Sequence, residues 1–322
     1  MSTLLITDTH FGVRQNSNTW YKSQIHFIEN QVIPSIKEYN IKHIIHLGDV
    51  FDSRSSISTY IMQGVYNIFK KLSGLVDKID IIAGNHDYYS PNSDEICILN
   101  ILFSSIKNIN IHSKFEYIDN QNLYIPWYRW EDKKNQNNIY NLINKYNIQN
   151  IFTHADIFDP TNIEFIKKIP CKIFSGHIHT PKIKNNLYNL GSCYPLTFSD
   201  CNSQRGIYII DDKNIKFIPN ESSIKFWRVY NDEIFNENEW RYNDYIEIYI
   251  NQDYLLKDKY SSKIEQYLNQ YKNINIIPQD TSIQLEHIEF NNYDILDITK
   301  SMIPEELRSK YNQILSRISP SV

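Results

Sequence analysis

Five short apolar runs in the first 180 residues each end in polar side chains, and this repeated pattern constrains the fold more than any other feature. The runs are TLLIT (3–7), HIIHLG (43–48), KIDIIAG (78–84), NIQNIFTH (147–154) and CKIFSGH (171–177). Helical patterns lie between them, near 20–39, at 57–72 and at 93–106. Because strands alternate with helices, we expect a layered α/β domain whose strands are buried on both faces.

The polar residues that follow these runs are of the types that bind metal ions. In chain order they are Asp8, His10, Asp49, Asp52, Asn85, His86, Asp87, His154, His177 and His179. In an open α/β sheet the carboxyl ends of the strands face one crevice, so we expect these side chains to meet there. Glycines lie in or beside the same clusters although the chain has only eight, as expected where the backbone turns tightly.

Seven of these residues are candidate metal ligands: Asp8, His10, Asp49, Asn85, His154, His177 and His179. Asp, Asn and His ligands without Cys favour a harder divalent ion than a thiolate zinc site does. Seven ligands are too many for one ion, whereas two ions about 3.5–4 Å apart that share a carboxylate use such a set well. Asp49, which is central in the order, is the predicted bridge.

The GNHD segment places an amide, an imidazole and a carboxylate side by side. We expect Asn85 to bind metal, His86 to contact the substrate, and Asp87 to steady either the turn or the imidazole. A single histidine at the end of a strand is more often a hydrogen-bonded structural residue. That role is predicted for His26, His43, His46, His112 and His287.

Composition narrows the class of protein without identifying a partner. The net charge of −4 does not by itself predict a nucleic-acid binder. The start of the chain has no signal-peptide pattern, and no apolar run approaches the length of a membrane span. The four cysteines form no CxxC pair, which favours reduced thiols in a cytoplasmic protein.

The pattern changes after residue 222, where a second, smaller domain is predicted. An alternating strand (244–250), a helical stretch (258–271) and a further strand (273–277) indicate a small α/β module over 223–292. In the tail, 293–322, apolar residues recur at helical spacing from Pro304 onward. This amphipathic helix packs either on the small module or on a partner.

The order DxH, GDxxD, GNHD, a single His after a strand, and GHxH resembles the calcineurin-like metallophosphoesterases over about residues 1–220. Within that superfamily, GDVFDSR, Pro126-Trp127, SGHIHTP, the run around Gly191 and Arg205-Gly206, and FIPN (217–220) are similar to the SbcD-type nucleases. The layout is most similar to the phage nucleases of the T-even type. Thr9 stands where these nucleases often have Trp, and Ala155 where Gly is common; neither change removes a ligand.

The resemblance implies a β-sandwich flanked by helices as a nuclease domain (1–222), a capping domain (223–292) and a helical tail (293–322) that docks on a partner. It implies one metal ion on Asp8, His10, Asp49 and His179, and a second on Asp49, Asn85, His154 and His177. His86 would be the catalytic imidazole, oriented by Asp52.

The implied activity is metal-dependent phosphodiester hydrolysis of DNA, by exonuclease or endonuclease cleavage, with two Mn²⁺ ions. The implied partner is an SMC-like coiled-coil ATPase of the SbcC type, in a complex that processes double-strand breaks in recombination, repair and replication. A homodimer through the helices at 57–72 or 93–106 is also implied.

Two alternatives remain open at this point. A phosphatase or cyclic-nucleotide phosphodiesterase of the same superfamily would use the same metal ligands, and the choice of DNA rests on the resemblance. A scaffold that has lost turnover would keep the fold, although every expected ligand is present.

Overall fold

The computed structural model describes residues 2–279, except 115–116, 120, 131–132, 202, 212–213, 237–238 and 256. The predicted tail (293–322) and the end of the predicted capping domain (280–292) therefore lie outside the described residues, as does His287.

The strands, numbered in chain order, are β1 (Thr3–Ile6), β2 (His43–His46), β3 (Lys78–Ile82), β4 (Tyr88–Ser90), β5 (Ser93–Cys97), β6 (Ile109–His112), β7 (Tyr117–Asp119), β8 (Asn122–Ile125), β9 (Asn150–His154), β10 (Lys172–Gly176), β11 (Lys182–Lys184), β12 (Leu187–Asn189), β13 (Gly206–Ile210), β14 (Ile215–Pro219), β15 (Phe226–Tyr230), β16 (Tyr245–Asn251) and β17 (Asn273–Gln279).

Two six-stranded sheets form the larger part of the described chain. The strand orders are β14-β13-β1-β2-β3-β6 and β11-β12-β10-β9-β8-β7. The five strands predicted from the apolar runs are all present, and each pairs in parallel with a neighbour from the same set. An apolar cluster that includes Leu5, Ile45, Phe152 and Phe174 draws on both sheets and fills the space between them.

Helices cover the outer faces of both sheets, so the strands are buried on two sides. The short helix Val13–Asn16 precedes a helix over Asn18–Phe27, which continues through a π-helical turn into Ile33–Glu38. The other helices of this part are Thr59–Ser73, Ile98–Phe103, Trp127–Trp130, Lys133–Tyr146 and Pro160–Ile166, whereas Gln252–Leu255 and Asp258–Gln270 belong to the smaller module. Ile61 and Val65 pack in one outer core with Leu4 and Ile44. The predicted β-sandwich flanked by helices is therefore confirmed.

The helix predicted over 93–106 is wrong in its first part. Residues Ser93–Cys97 form β5, which pairs antiparallel with β4, and the helix spans only Ile98–Phe103. Pro91 and Asn92 separate the two strands and make a turn between them. The hairpin supplies the backbone hydrogen bonds that a longer helix would otherwise have made.

The described part of the predicted capping domain has its own sheet and its own core. Strands β15, β16 and β17 form a three-stranded sheet. Along β16 buried and half-buried residues alternate, as predicted for a strand with one covered face. Ile246, Ile248 and Ile250 from this strand pack against Tyr260 and Ile264 of the helix Asp258–Gln270.

Among the described residues, no helix has the length and apolar character that a membrane crossing requires.

A buried carboxylate, Asp80 on β3, links three strands of the first sheet. It lies 2.6 Å from His43 Nε2, 2.8 Å from His112 Nε2 and 3.0 Å from Lys78 Nζ. His43 and His112 are thus hydrogen-bonded structural histidines, as predicted. Burial by itself raises the pKa of Asp80, but the hydrogen bonds from His112 and His43 outweigh it and lower the pKa well below its usual value.

We expect Asp80→Asn to lower the free energy of unfolding at pH 7 by about 3 kcal/mol, because it removes a fully buried carboxylate that is hydrogen-bonded to His43 and His112 and paired with Lys78. A carboxylate with a lowered pKa contributes stability above the unfolded-state value of about 3.9, and this stability is lost as the pH falls towards the folded-state value. Urea unfolding curves should therefore show the difference from wild type shrinking below about pH 4. Asp77→Asn, at an exposed aspartate, is the control and should change stability by less than about 0.5 kcal/mol. An equal loss at pH 3 and pH 7 would contradict this account.

Candidate metal centre

The structure brings all nine predicted ligand and catalytic residues into one cluster. The loops after β1, β2 and β3 of the first sheet and the ends of β9 and β10 of the second sheet converge there. The residues are Asp8 and His10, Asp49 and Asp52, Asn85 and His86, His154, and His177 and His179. The site therefore lies across the carboxyl ends of strands from both sheets, where the sequence predicts it.

One group consists of Asp8, His10 and His179. His10 Nε2 and His179 Nε2 face each other at 3.1 Å. Each of these two nitrogens also lies 3.8 Å from Asp8 Oδ1. Asp8 is fully buried, and the three side chains could hold one metal ion with one ligand atom each.

A second group consists of Asp49, His154 and His177, with Asn85 beside it. His154 Nε2 is 3.3 Å from Asp49 Oδ2 and 3.1 Å from Asn85 Oδ1. His177 Nδ1 is 2.9 Å from the same Asn85 oxygen. The backbone carbonyl of Leu47 lies 2.7 Å from His154 Nδ1 and orients this ring.

Asp49 lies between the two groups. Its Oδ2 is 3.3 Å from His154 Nε2 and 3.7 Å from His10 Nε2, one residue from each group. Burial by itself raises the pKa of Asp49, but the neighbouring imidazoles of His154 and His10 lower it overall. The side chain is therefore a carboxylate placed within reach of both groups.

These donor sets fit two divalent cations. In each group the three ligand atoms lie within 4.8 Å of one another, which is the spacing of atoms around a shared ion. Facing imidazole nitrogens, as in His10 and His179, are stabilised by a cation held between them. Oxygen and nitrogen ligands without Cys suit a harder divalent ion, so the His and Asp groups are suited to a dinuclear metal site.

The backbone at several of these residues adopts the left-handed conformation. Asp8, His10, Asp49 and His177 have φ of 50°, 40°, 53° and 82°. Each such non-glycine residue costs about 1–3 kcal/mol, and this conformation persists only where the surroundings enforce it. Hydrogen bonds between the loops after β1 and β2 hold Asp8 and His10 in place, because Asp8 N donates to Gly48 O and His10 N donates to Asp49 O. His177 N donates to the Asp8 carboxylate.

Two glycines of the predicted clusters are required by close packing. A Cβ on Gly84 would lie 2.3 Å from Asp49 N, and one on Gly48 would lie 2.4 Å from His154 Nδ1. Gly48 also has a φ of +100°, which favours glycine. Larger residues at either position would displace a side chain of the second group.

His86 lies at the edge of the cluster. Its backbone N donates to Asp49 Oδ1 at 2.8 Å, and its ring centroid is 5.1 Å from that of His10. Its Nδ1 is 2.5 Å from the backbone carbonyl of Asp52, while the Asp52 carboxylate lies 3.4 Å from His10 Nδ1. Asp52 therefore contacts His86 through its main chain, and its side chain faces His10.

Asp87 steadies the turn, the first of the two roles predicted for it. It accepts hydrogen bonds from Gly84 N at 2.9 Å and Val50 N at 3.1 Å, and so ties the loop after β3 to the loop after β2. Burial, and next the charge of Asp49, raise the pKa of Asp87 to about 7.

Gln24 is a buried positioning residue that the sequence analysis missed. Its Nε2 donates to Thr9 O at 2.8 Å and His10 O at 3.1 Å, so it holds the backbone of the DTH segment. Tyr194 also donates to Thr9 O. The buried residues of the helix Asn18–Phe27 are Trp20, Gln24 and Phe27. A polar residue on the apolar face of a helix was therefore the sequence feature that could have identified Gln24.

The first part of this chain matches a known protein family. Residues 1–191 match the model of the calcineurin-like phosphoesterase family. Over 238 residues the chain is 25% identical to Exonuclease subunit 1 of Enterobacteria phage T4. The aligned region covers 69% of this chain and 69% of that protein.

Two solved structures are similar at low sequence identity. A dimetal phosphatase from Danio rerio is 11% identical, with 68% of this chain and 95% of that chain covered and a TM-score of 0.44. The nuclease MPE of Pseudomonas putida is 13% identical, with 64% and 83% covered and a TM-score of 0.32. Because the family model spans more than half of the chain, this protein belongs to the calcineurin-like phosphoesterase family.

Proposed function

We propose that this protein is a DNA nuclease subunit that hydrolyses phosphodiester bonds with two divalent metal ions. The observation that carries the chemistry is the pair of His and Asp groups that flank one shared carboxylate, Asp49. The choice of DNA is supported by similarity to a phage protein named as an exonuclease subunit. Exonuclease and endonuclease cleavage are both open to such a site.

In this proposal Asp8, His10, Asp49 and His179 hold one ion, and Asp49, Asn85, His154 and His177 hold the other. Mn²⁺ is the proposed metal. When bound, two such ions polarise the phosphate, neutralise developing charge and activate a water nucleophile.

His86 is the proposed catalytic imidazole, and Asp52 is its positioning residue. The Asp52 carbonyl at Nδ1 favours the tautomer with the proton on that nitrogen, which leaves Nε2 for the substrate. A protonated His86 can then donate its Nε2 proton to the oxygen that leaves phosphorus. The ring is half-buried, so it is supported by the protein and still accessible.

We further propose that the protein works with an SMC-like coiled-coil ATPase in the cytoplasm of a bacterial or phage-infected cell, in recombination, repair and replication of DNA. Similarity to a protein named as a subunit supports the existence of a partner. A homodimer is supported by exposed apolar side chains on two neighbouring helices, Tyr60 and Ile101, which are 59% and 70% exposed.

The test compares substrates. With Mn²⁺, we expect the protein to degrade end-labelled linear duplex DNA faster than it hydrolyses p-nitrophenyl phosphate or a cyclic nucleotide, and the proposed SMC-like ATPase partner should increase the rate on DNA. Faster hydrolysis of the small substrates would favour the alternative, a phosphatase or cyclic-nucleotide phosphodiesterase with the same metal groups.

A further inference from the structure

A cavity of about 240 Å³ lies apart from the metal groups, where the segment after β12 meets the start of β15. Its lining includes Asp200, Gln204, Arg205, Lys225 and Trp227. None of these residues belongs to the proposed metal or catalytic set. The cavity therefore offers a second place at which the protein could hold a ligand.

Arg205 forms the buried wall of this cavity and is only 2% exposed. Its Nη2 donates to Asp200 Oδ1 at 2.7 Å. Its Nε and Nη1 are buried without a hydrogen-bond acceptor among the described residues. A buried guanidinium N–H without an acceptor is costly, so Arg205, which lines the cavity, has spare donor capacity that a ligand accepting hydrogen bonds could use.

The surrounding charges are compatible with an anion. Asp200 already accepts from Arg205 and, through Oδ2, from Leu196 N and Thr197 N at 2.9 and 3.0 Å. Lys225 adds a positive charge to the lining, and its Nζ is 5.7 Å from the ring centroid of Trp227. Glu221 also lines the cavity, but its side chain is exposed to solvent, where its charge is screened.

We propose that this cavity binds the phosphate group of a nucleotide, with Arg205 and Lys225 as its cationic contacts and Trp227 beside the base. Guanidinium groups bind phosphate oxygens through several N–H donors, and aromatic rings stack on bases of any sequence. The ligand is either a free nucleotide or one unit of a nucleic-acid strand. Only the binding of a strand rests on the proposed nuclease function.

The cavity is connected to the loop that carries His10. Asp200 holds the backbone at Leu196, and Leu196 O accepts a hydrogen bond from Arg14 Nη2 at 3.3 Å. Arg14 follows His10 by four residues, and its guanidinium carbon lies 5.3 Å from the ring centroid of Tyr245 in β16. A phosphate on Arg205 would thus bind at a junction between the metal-site loop and the small sheet.

The test is a calorimetric titration of the full chain in EDTA, which prevents cleavage and removes metal-bound phosphate from the signal. The ligands are inorganic phosphate, thymidine 5′-monophosphate and a short oligothymidylate. We expect binding of the nucleotide to weaken at least about ten-fold in Arg205→Lys, which keeps the charge beside Asp200 but has fewer donors. Lys225→Met should weaken it by several-fold, and Lys263→Met, at a lysine outside the cavity, should leave it unchanged.

Comparing the mononucleotide with the oligonucleotide shows whether the site holds a free nucleotide or a nucleic-acid strand. Tighter binding of the oligonucleotide than of the mononucleotide assigns the site to a strand, and equal binding assigns it to a free nucleotide. No binding of any phosphate ligand, or equal binding by the wild type and by folded Arg205→Lys and Lys225→Met proteins, would overturn the proposal. Because no cleavage is measured, a failed nuclease assay leaves this result unaffected.

Discussion

Asp49→Asn should abolish phosphodiester hydrolysis and reduce the metal content from two ions to less than one per chain. The carboxylate oxygen Oδ2 lies 3.3 Å from His154 and 3.7 Å from His10, so one substitution weakens both groups at once. An asparagine keeps the size of the side chain but lacks the negative charge that two cations share. The loss should therefore exceed that of a substitution confined to one group.

Metal analysis after gel filtration, together with the Mn²⁺-dependent DNA assay, checks this expectation. His179→Asn is the comparison within the site, since His179 belongs to one group only, and it should retain about one ion per chain. Asp77→Asn, at an exposed aspartate, controls for the loss of a surface charge. Two tightly bound Mn²⁺ ions per chain in Asp49→Asn would refute the bridging assignment.

His86→Ala should retain two metal ions while its rate falls by at least about 100-fold, the scale expected of a positioned acid–base group. The imidazole of His86 contacts the Asp52 carbonyl, whereas its backbone N contacts Asp49. Alanine removes the first contact and keeps the second, so the bridging carboxylate should remain in place.

A surface histidine provides the matched control for this substitution. His26→Ala removes an exposed imidazole and should leave both metal content and rate unchanged. Circular dichroism verifies that both variants are folded. If His86→Ala loses a metal ion, His86 is a ligand, and the roles assigned to Asn85 and His86 have to be exchanged or shared.

The sequence predicts the strands around the metal groups well because the pattern of each strand lies in a few consecutive residues. Each strand that ends in a ligand is a run of consecutive apolar residues, and the parallel pairing of such strands brings their carboxyl ends to one side. The grouping of Asp8 with His10 and His179 came from the family resemblance, and the structure places these three side chains together.

The features that were missed depend on contacts distant in sequence. Gln24 acts on Thr9 and His10, which lie in a different element, and only a packed structure shows this. The error at Ser93–Cys97 has the same origin, since pairing with Tyr88–Ser90 overrides a helical pattern of apolar residues. Asp52 shows a further limit, because its contact with His86 is made by a backbone carbonyl, which no side-chain pattern encodes.

The order in which the ribosome synthesises the proposed metal ligands has a consequence for the cell. Asp8, Asp49 and Asn85 come from the first sheet, whereas His154, His177 and His179 come from the second, so neither group is complete until residue 177 or 179 has been made. On the proposed assignment, a nascent chain that stalls after the third strand exposes no functional nuclease. Translation products that end before residue 177 should then be harmless to the genome of the cell that makes them.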